Sequence, residues 1–109
     1  MEKSIIFPIV FAFFIMNPVY AEDIPVARQS ELKHLLLHDC GSCHGMTLKG
    51  GLGPALTPSA LSGKSVKYLF QVINDGRPNT PMPPWKNILS DTDIVWLVNL
   101  LKKGLNDEK

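Results

Sequence analysis

Residues 40–44 read CGSCH: Cys40, Gly41, Ser42, Cys43 and His44. Two thiols three positions apart, followed at once by an imidazole, admit a disulfide, a metal clip or a covalent anchor. These are the only two cysteines in a chain of 109 residues. A structural zinc site takes four ligands, and besides these three the nearest donors, His34 and His38, lie on the segment just before the pair. A thioredoxin-like dithiol opens a helix inside a βαβ unit. Here the cysteines follow a helical pattern instead: Gln29 to Asp39 reads QSELKHLLLHD, with Leu32, Leu35 and Leu36 on one face.

C-x-x-C-H is the attachment signal of haem c. The spacing has a chemical reason, since two thiols must add to the two vinyl groups on one edge of a porphyrin. The histidine that follows then faces the iron from one side. The expectation is one haem c, held covalently through two thioethers from Cys40 and Cys43, with His44 as the proximal ligand. The distal candidates in the body of the chain are His34, His38, Met46 and Met82. The two histidines precede Cys40 too closely to reach over the far face, and read as solvent-facing helix residues. Met46 is tied to the proximal side. Met82 lies in GRPNTPMPPW, residues 76–85, where four prolines hold the backbone extended. It is the expected distal ligand, and Trp85 is expected to line the pocket. Between the ligands runs GGLGPAL, residues 50–56, whose glycines allow the chain to pass close to a flat ring. A ligating histidine usually donates its second ring proton to an oxygen, and the Pro54 carbonyl is the acceptor expected for His44.

The N-terminus says where such a group would be attached. MEKSIIFPIVFAFFIMNPVYA, residues 1–21, has one lysine, an apolar run from Ile5 to Met16 and a small residue at its end. That is the pattern of a secretory signal peptide cleaved before Glu22, leaving residues 22–109 as a single domain. The apolar run is shorter than the roughly 20 residues that span a bilayer, so no membrane span is expected after cleavage. An exported compartment also permits a Cys40–Cys43 disulfide. Lys and Arg total 11 against 10 Asp and Glu, and no basic run or zinc-finger spacing points to nucleic acid.

Two further helices are legible. Lys64 to Asn74 places Val66, Leu69, Phe70 and Ile73 at helical spacing, with Ser62 as its expected cap and Gly76 as its end. Ser90-Asp91-Thr92-Asp93 reads as a second helix start, followed by an apolar stretch, Lys102 and Lys103 in the last turn, and Gly104 as the stop. Strand alternation is absent. The expected class is all-α, with three or more helices wrapped around one covalently attached haem. Leu32, Leu35 and Leu36 are expected to face Leu97, Leu100 and Leu101.

With these residues in order, the chain resembles the class I c-type cytochromes. Cys40, Cys43 and His44, then Gly53-Pro54, Met82-Pro83 and LSDTDIVWLVNLL (89–101) carry the likeness across about residues 27 to 103. Leu100 stands where that family often has an aromatic. HDCGSCHGMTLKGGLGPALTP and INDGRPNTPMPPW are most similar to the small periplasmic NirC-type cytochromes encoded with dissimilatory nitrite reductase. The resemblance implies a periplasmic single-electron carrier in denitrification. It would take electrons from a quinol-linked donor and pass them to nitrite reductase by transient contact. Lys33, Lys49, Lys64, Lys67 and Lys86 are the expected steering charges. The other role the resemblance implies is an electron acceptor or accessory protein in biosynthesis of the reductase's d-type haem. A haem peroxidase or gas-binding protein would need an open distal position, which a well-placed Met82 argues against.

Overall fold

The computed structural model describes residues 4–5, 8–12 and 24–105. The expected cleavage point between Ala21 and Glu22 lies outside the described residues.

The first helix is longer than the sequence pattern suggests. It opens as α1 (Val26–Leu35), widens into a π turn (Leu36–Cys40) and closes as α2 (Gly41–His44). The cysteines therefore sit within this helical rod and do not follow its end. No side chain caps α1 at Pro25, but the Gln29 side chain donates to the Ile24 carbonyl at 2.8 Å and fixes the entry. At the other end, a loop turns back onto the exposed carbonyls. Gly53 N–H donates to the Cys43 carbonyl at 2.7 Å, and Gly50 N–H to that of His44 at 2.9 Å. Helix ends leave such carbonyls without intrahelical partners, so the loop's path is fixed by what the helix lacks.

Two short elements follow. α3 (Pro58–Leu61) starts with Thr57 accepting from Ala60 N–H and with Pro58 at the first position, where a missing N–H costs nothing. α4 (Val66–Asp75) is capped by Ser65, whose hydroxyl accepts from Tyr68 N–H at 3.0 Å. The expected cap, Ser62, instead donates to the Ser59 carbonyl and finishes α3. Gly63 explains the difference, because its φ of +78° is not a conformation from which a helix can start.

α5 (Asp91–Lys103) carries a full capping box: Ser90 accepts from Asp93 N–H, and the Asp93 carboxylate accepts from Ser90 N–H. Lys102 and Lys103 occupy its last turn and Gly104 ends it, as the sequence pattern requires. Among the described residues there are helices and no strands. The core forms where the first helix crosses the last: Leu32 and Leu36 pack in one buried cluster with Ile94, Leu97, Val98 and Leu101. Leu35, expected in the same contact, is only partly buried at its edge.

An ion pair locks this crossing. Arg28 Nη2 lies 2.7 Å from Asp93 Oδ2 and its Nε 3.3 Å from Oδ1, across 65 positions of sequence. Arg28 also pairs with Glu31 at 2.7 Å. The Arg28 guanidinium, with the Ser90 N–H bond, holds the buried Asp93 carboxyl below its usual range. A depressed carboxyl stabilises the fold above its unfolded value, about 3.9. That contribution is lost as pH falls through the folded value. Asp93→Asn is therefore expected to cost about 1.5–3 kcal/mol at pH 7, the range for hydrogen bonds to charged groups. Denaturant titrations of the two proteins should converge as the pH drops below about 4. A constant difference across that range would show that the charge is not what matters.

Candidate haem site

The helices enclose one large cavity, of about 780 Å³, lined mainly by apolar side chains. That is within the roughly 300–1,000 Å³ of small-molecule and cofactor sites. One wall is the π turn and α2, with Cys40, Cys43 and His44. The segment carrying Met82 and Trp85 also lines the cavity. α5 closes the back with Leu97, Val98 and Leu101. The ends of the core cluster and the cavity thus share the same side chains.

Cys40 and Cys43 are both half-buried free thiols. Burial, with the Asp39 charge beside it, pushes the Cys40 thiol up to about 11. His44 ends α2, and its Nδ1 lies 2.7 Å from the Pro54 carbonyl oxygen. A carbonyl only accepts, so Nδ1 carries the proton and donates. In the neutral ring that bond leaves Nε2 as the nitrogen available to a metal. Gly53 packs flat against the ring, since a Cβ added there would sit 2.8 Å from both Nδ1 and Cε1 of His44. Pro54 and Gly53 together hold the imidazole from two sides.

Met82 is half-buried between exposed prolines. Its segment hangs from the end of α4. Trp85 N–H donates to the Ile73 carbonyl at 3.0 Å, Arg77 N–H to the Met82 carbonyl at 3.2 Å, and Met82 N–H to the Thr80 hydroxyl at 3.3 Å. Gly76 permits this close return. It is buried with a φ of +68°, and a Cβ there would meet the Met82 and Pro83 backbone at 2.7 Å.

All six expected site residues, Cys40, Cys43, His44, Pro54, Met82 and Trp85, line the cavity. His34 and His38 do not, and both are exposed on the first helix. Of the two methionines among the described residues, Met46 is 61% exposed and off the cavity, while Met82 borders it. The sequence reading missed one lining element. α4 contributes Tyr68, Leu69 and Ile73, and Lys64 and Arg77 stand at the same cavity. The helical spacing of Leu69 and Ile73 marked an inward face, but a face turned to a cavity reads the same as one turned to packed side chains. The donor set fits a haem: two thiols, an imidazole whose Nδ1 is already engaged, a thioether and an apolar enclosure.

A helical cage closing on a C-x-x-C-H turn defines the class as c-type cytochrome. The family model described as cytochrome C oxidase, cbb3-type, subunit III, matches residues 27–101. Cytochrome c55X of Pseudomonas aeruginosa is 57% identical over 88 residues, covering 80% of this chain and 74% of that protein. Among solved structures, the c-type cytochrome NirC superposes with a TM-score of 0.74 at 56% identity, over 75% of this chain and 96% of that one. Dihydro-heme d1 dehydrogenase NirN, in complex with DHE, matches with a TM-score of 0.60 at 36% identity, over 64% of this chain but 15% of its own. The chain belongs to the c-type cytochromes, and within them to the NirC-type, cytochrome c55X family. It is a haem c protein and an electron carrier linked to the nitrite reductase system, not an enzyme. NirC-type cytochromes are periplasmic by family, and no helix among the described residues is long and apolar enough to cross a membrane.

Proposed function

We propose that residues 1–21 are a signal peptide and that residues 22–109 hold a single haem c, through thioethers from Cys40 and Cys43. His44 Nε2 and Met82 Sδ are the axial ligands in this reading. The bound haem supplies a one-electron ferric/ferrous couple, and methionine ligation favours the ferrous state. The chain supplies the rest. The Pro54 carbonyl orients His44, the prolines around Met82 hold its thioether in place, and the apolar walls disfavour the extra ferric charge. The observation that carries this reading is that CGSCH and Met82, far apart in sequence, line one apolar cavity.

The carrier takes electrons from a quinol-linked donor and delivers them to dissimilatory nitrite reductase. Contacts of this kind are brief, and exposed lysines such as Lys49, Lys64, Lys67 and Lys86 guide them, so transfer should slow as ionic strength rises. A second role has support of its own: the likeness to the dihydro-heme d1 dehydrogenase NirN at 36% identity. In that role the oxidised protein accepts electrons during maturation of the reductase's d-type haem. Deletion of the gene in its own organism separates the two. Full d-type haem with slow nitrite turnover in cells identifies delivery. A reductase carrying an immature tetrapyrrole identifies maturation. A strain normal in both, where no other cytochrome substitutes, would remove the nitrite assignment.

A further inference from the structure

Two imidazoles stand outside the haem cavity and have no part in the function above. His34 and His38 lie four residues apart on the outer face of the first helix, away from the buried Leu32 and Leu36. Both side chains are exposed. Their ring centroids are 4.1 Å apart and the ring planes are inclined at 39°. Neither ring has a hydrogen-bond partner among the described residues.

The backbone accounts for this closeness. His34 is in α1 and His38 in the π turn, so the pair straddles the point where the helix widens. In a regular α-helix, residues four apart are neighbours but not in line, because a turn takes 3.6 residues. A π turn bonds over five residues, so at the junction residues four apart lie nearly over one another. The helix itself brings the two rings together.

We propose that His34 and His38 form a surface site for a divalent transition-metal ion, with Cu²⁺ preferred over Ni²⁺ and Zn²⁺. Imidazole suits these metals, and copper(II) binds a given nitrogen site most tightly. Two histidines four apart on one helix face are a sufficient bidentate chelate, the arrangement used within H-E-x-x-H sites. Metal–nitrogen bonds of about 2.0–2.1 Å draw two rings to about the separation found here. Water completes the shell, since no third histidine, cysteine or carboxylate gathers with the pair among the described residues. The exposed, otherwise unengaged rings can turn onto the ion without breaking other bonds.

The test uses the purified holoprotein. Calorimetric titration with Cu²⁺ should give one strong equivalent, and Ni²⁺ and Zn²⁺ should bind more weakly. The copper electron paramagnetic resonance spectrum should show coupling to two imidazole nitrogens. His34→Ala and His38→Ala should each weaken binding at least tenfold, and both positions accept alanine in a helix. The haem absorption spectrum should not change on metal addition. If the double variant bound Cu²⁺ as tightly as the parent, as it would through a chain-terminal amine, the assignment would fail. It would fail equally if one variant bound normally, or if the spectrum showed a single imidazole nitrogen.

Discussion

Met82→Ala is expected to abolish the weak far-red band that sulfur-to-iron charge transfer gives ferric protein. The reduction potential should fall, within the ~0.8 V range that axial ligands span, and added small ligands should bind the iron. The reason is geometric. The Met82 segment is held at the cavity by the hydrogen bond from Arg77 N–H to the Met82 carbonyl, by that from Trp85 N–H to the Ile73 carbonyl, and by the tight return at Gly76. Met46→Ala is the matched control, because that side chain is exposed and off the cavity. A variant at position 82 that kept the band would transfer the ligand role to Met46. The proline segment would then need another explanation.

Gly53→Ala is expected to damage the opposite side nearly as much. The new methyl would lie 2.8 Å from the His44 ring, and the ring cannot retreat without losing its 2.7 Å bond to Pro54. Overpacking of this kind costs about 1–3 kcal/mol. Here part of that cost should appear as altered ligation. The melting temperature should drop, and the ferric spectrum should show a fraction of iron without its normal proximal partner. Gly41→Ala, within the same CGSCH segment, supplies the contrast. Its added Cβ meets nothing closer than 3.6 Å, and helix propensity favours alanine by about 1 kcal/mol. It should be neutral or mildly stabilising with an unchanged spectrum. Equal effects from the two alanines would mean that His44 is not clamped as described.

The candidate site was more legible than the helix that carries it. CGSCH and the proline-bound Met82 are readable because covalent and coordinate chemistry restrict residue type and spacing tightly. The α5 start was readable for a related reason: a capping box is a local hydrogen-bond pattern written within Ser90 to Asp93. The π turn was not, because residues 36–40 have ordinary helical composition and the extra width is decided by packing at the crossing. The cap of α4 was misplaced by three residues because Ser62 and Ser65 are equally good caps, and only the backbone at Gly63 chooses between them. α3 was overlooked although Thr57-Pro58 is a sound helix opening, because one turn is too short to show a periodic pattern.

The burial of Cys40 bears on the order in which the protein is made. A thiol reacts as its thiolate, and one pushed up to about 11 is almost wholly protonated near neutral pH. In the closed fold this half-buried sulfur, on the lining of the cavity, is a poor nucleophile. Leu97, Val98 and Leu101 of α5 close the same cavity at its back. With Cys40 as one of the proposed anchors, the bond to haem should form faster on a chain that has not yet shut. The ion pair from Arg28 to Asp93 then acts as a late latch, joining a segment made early to one made near the end.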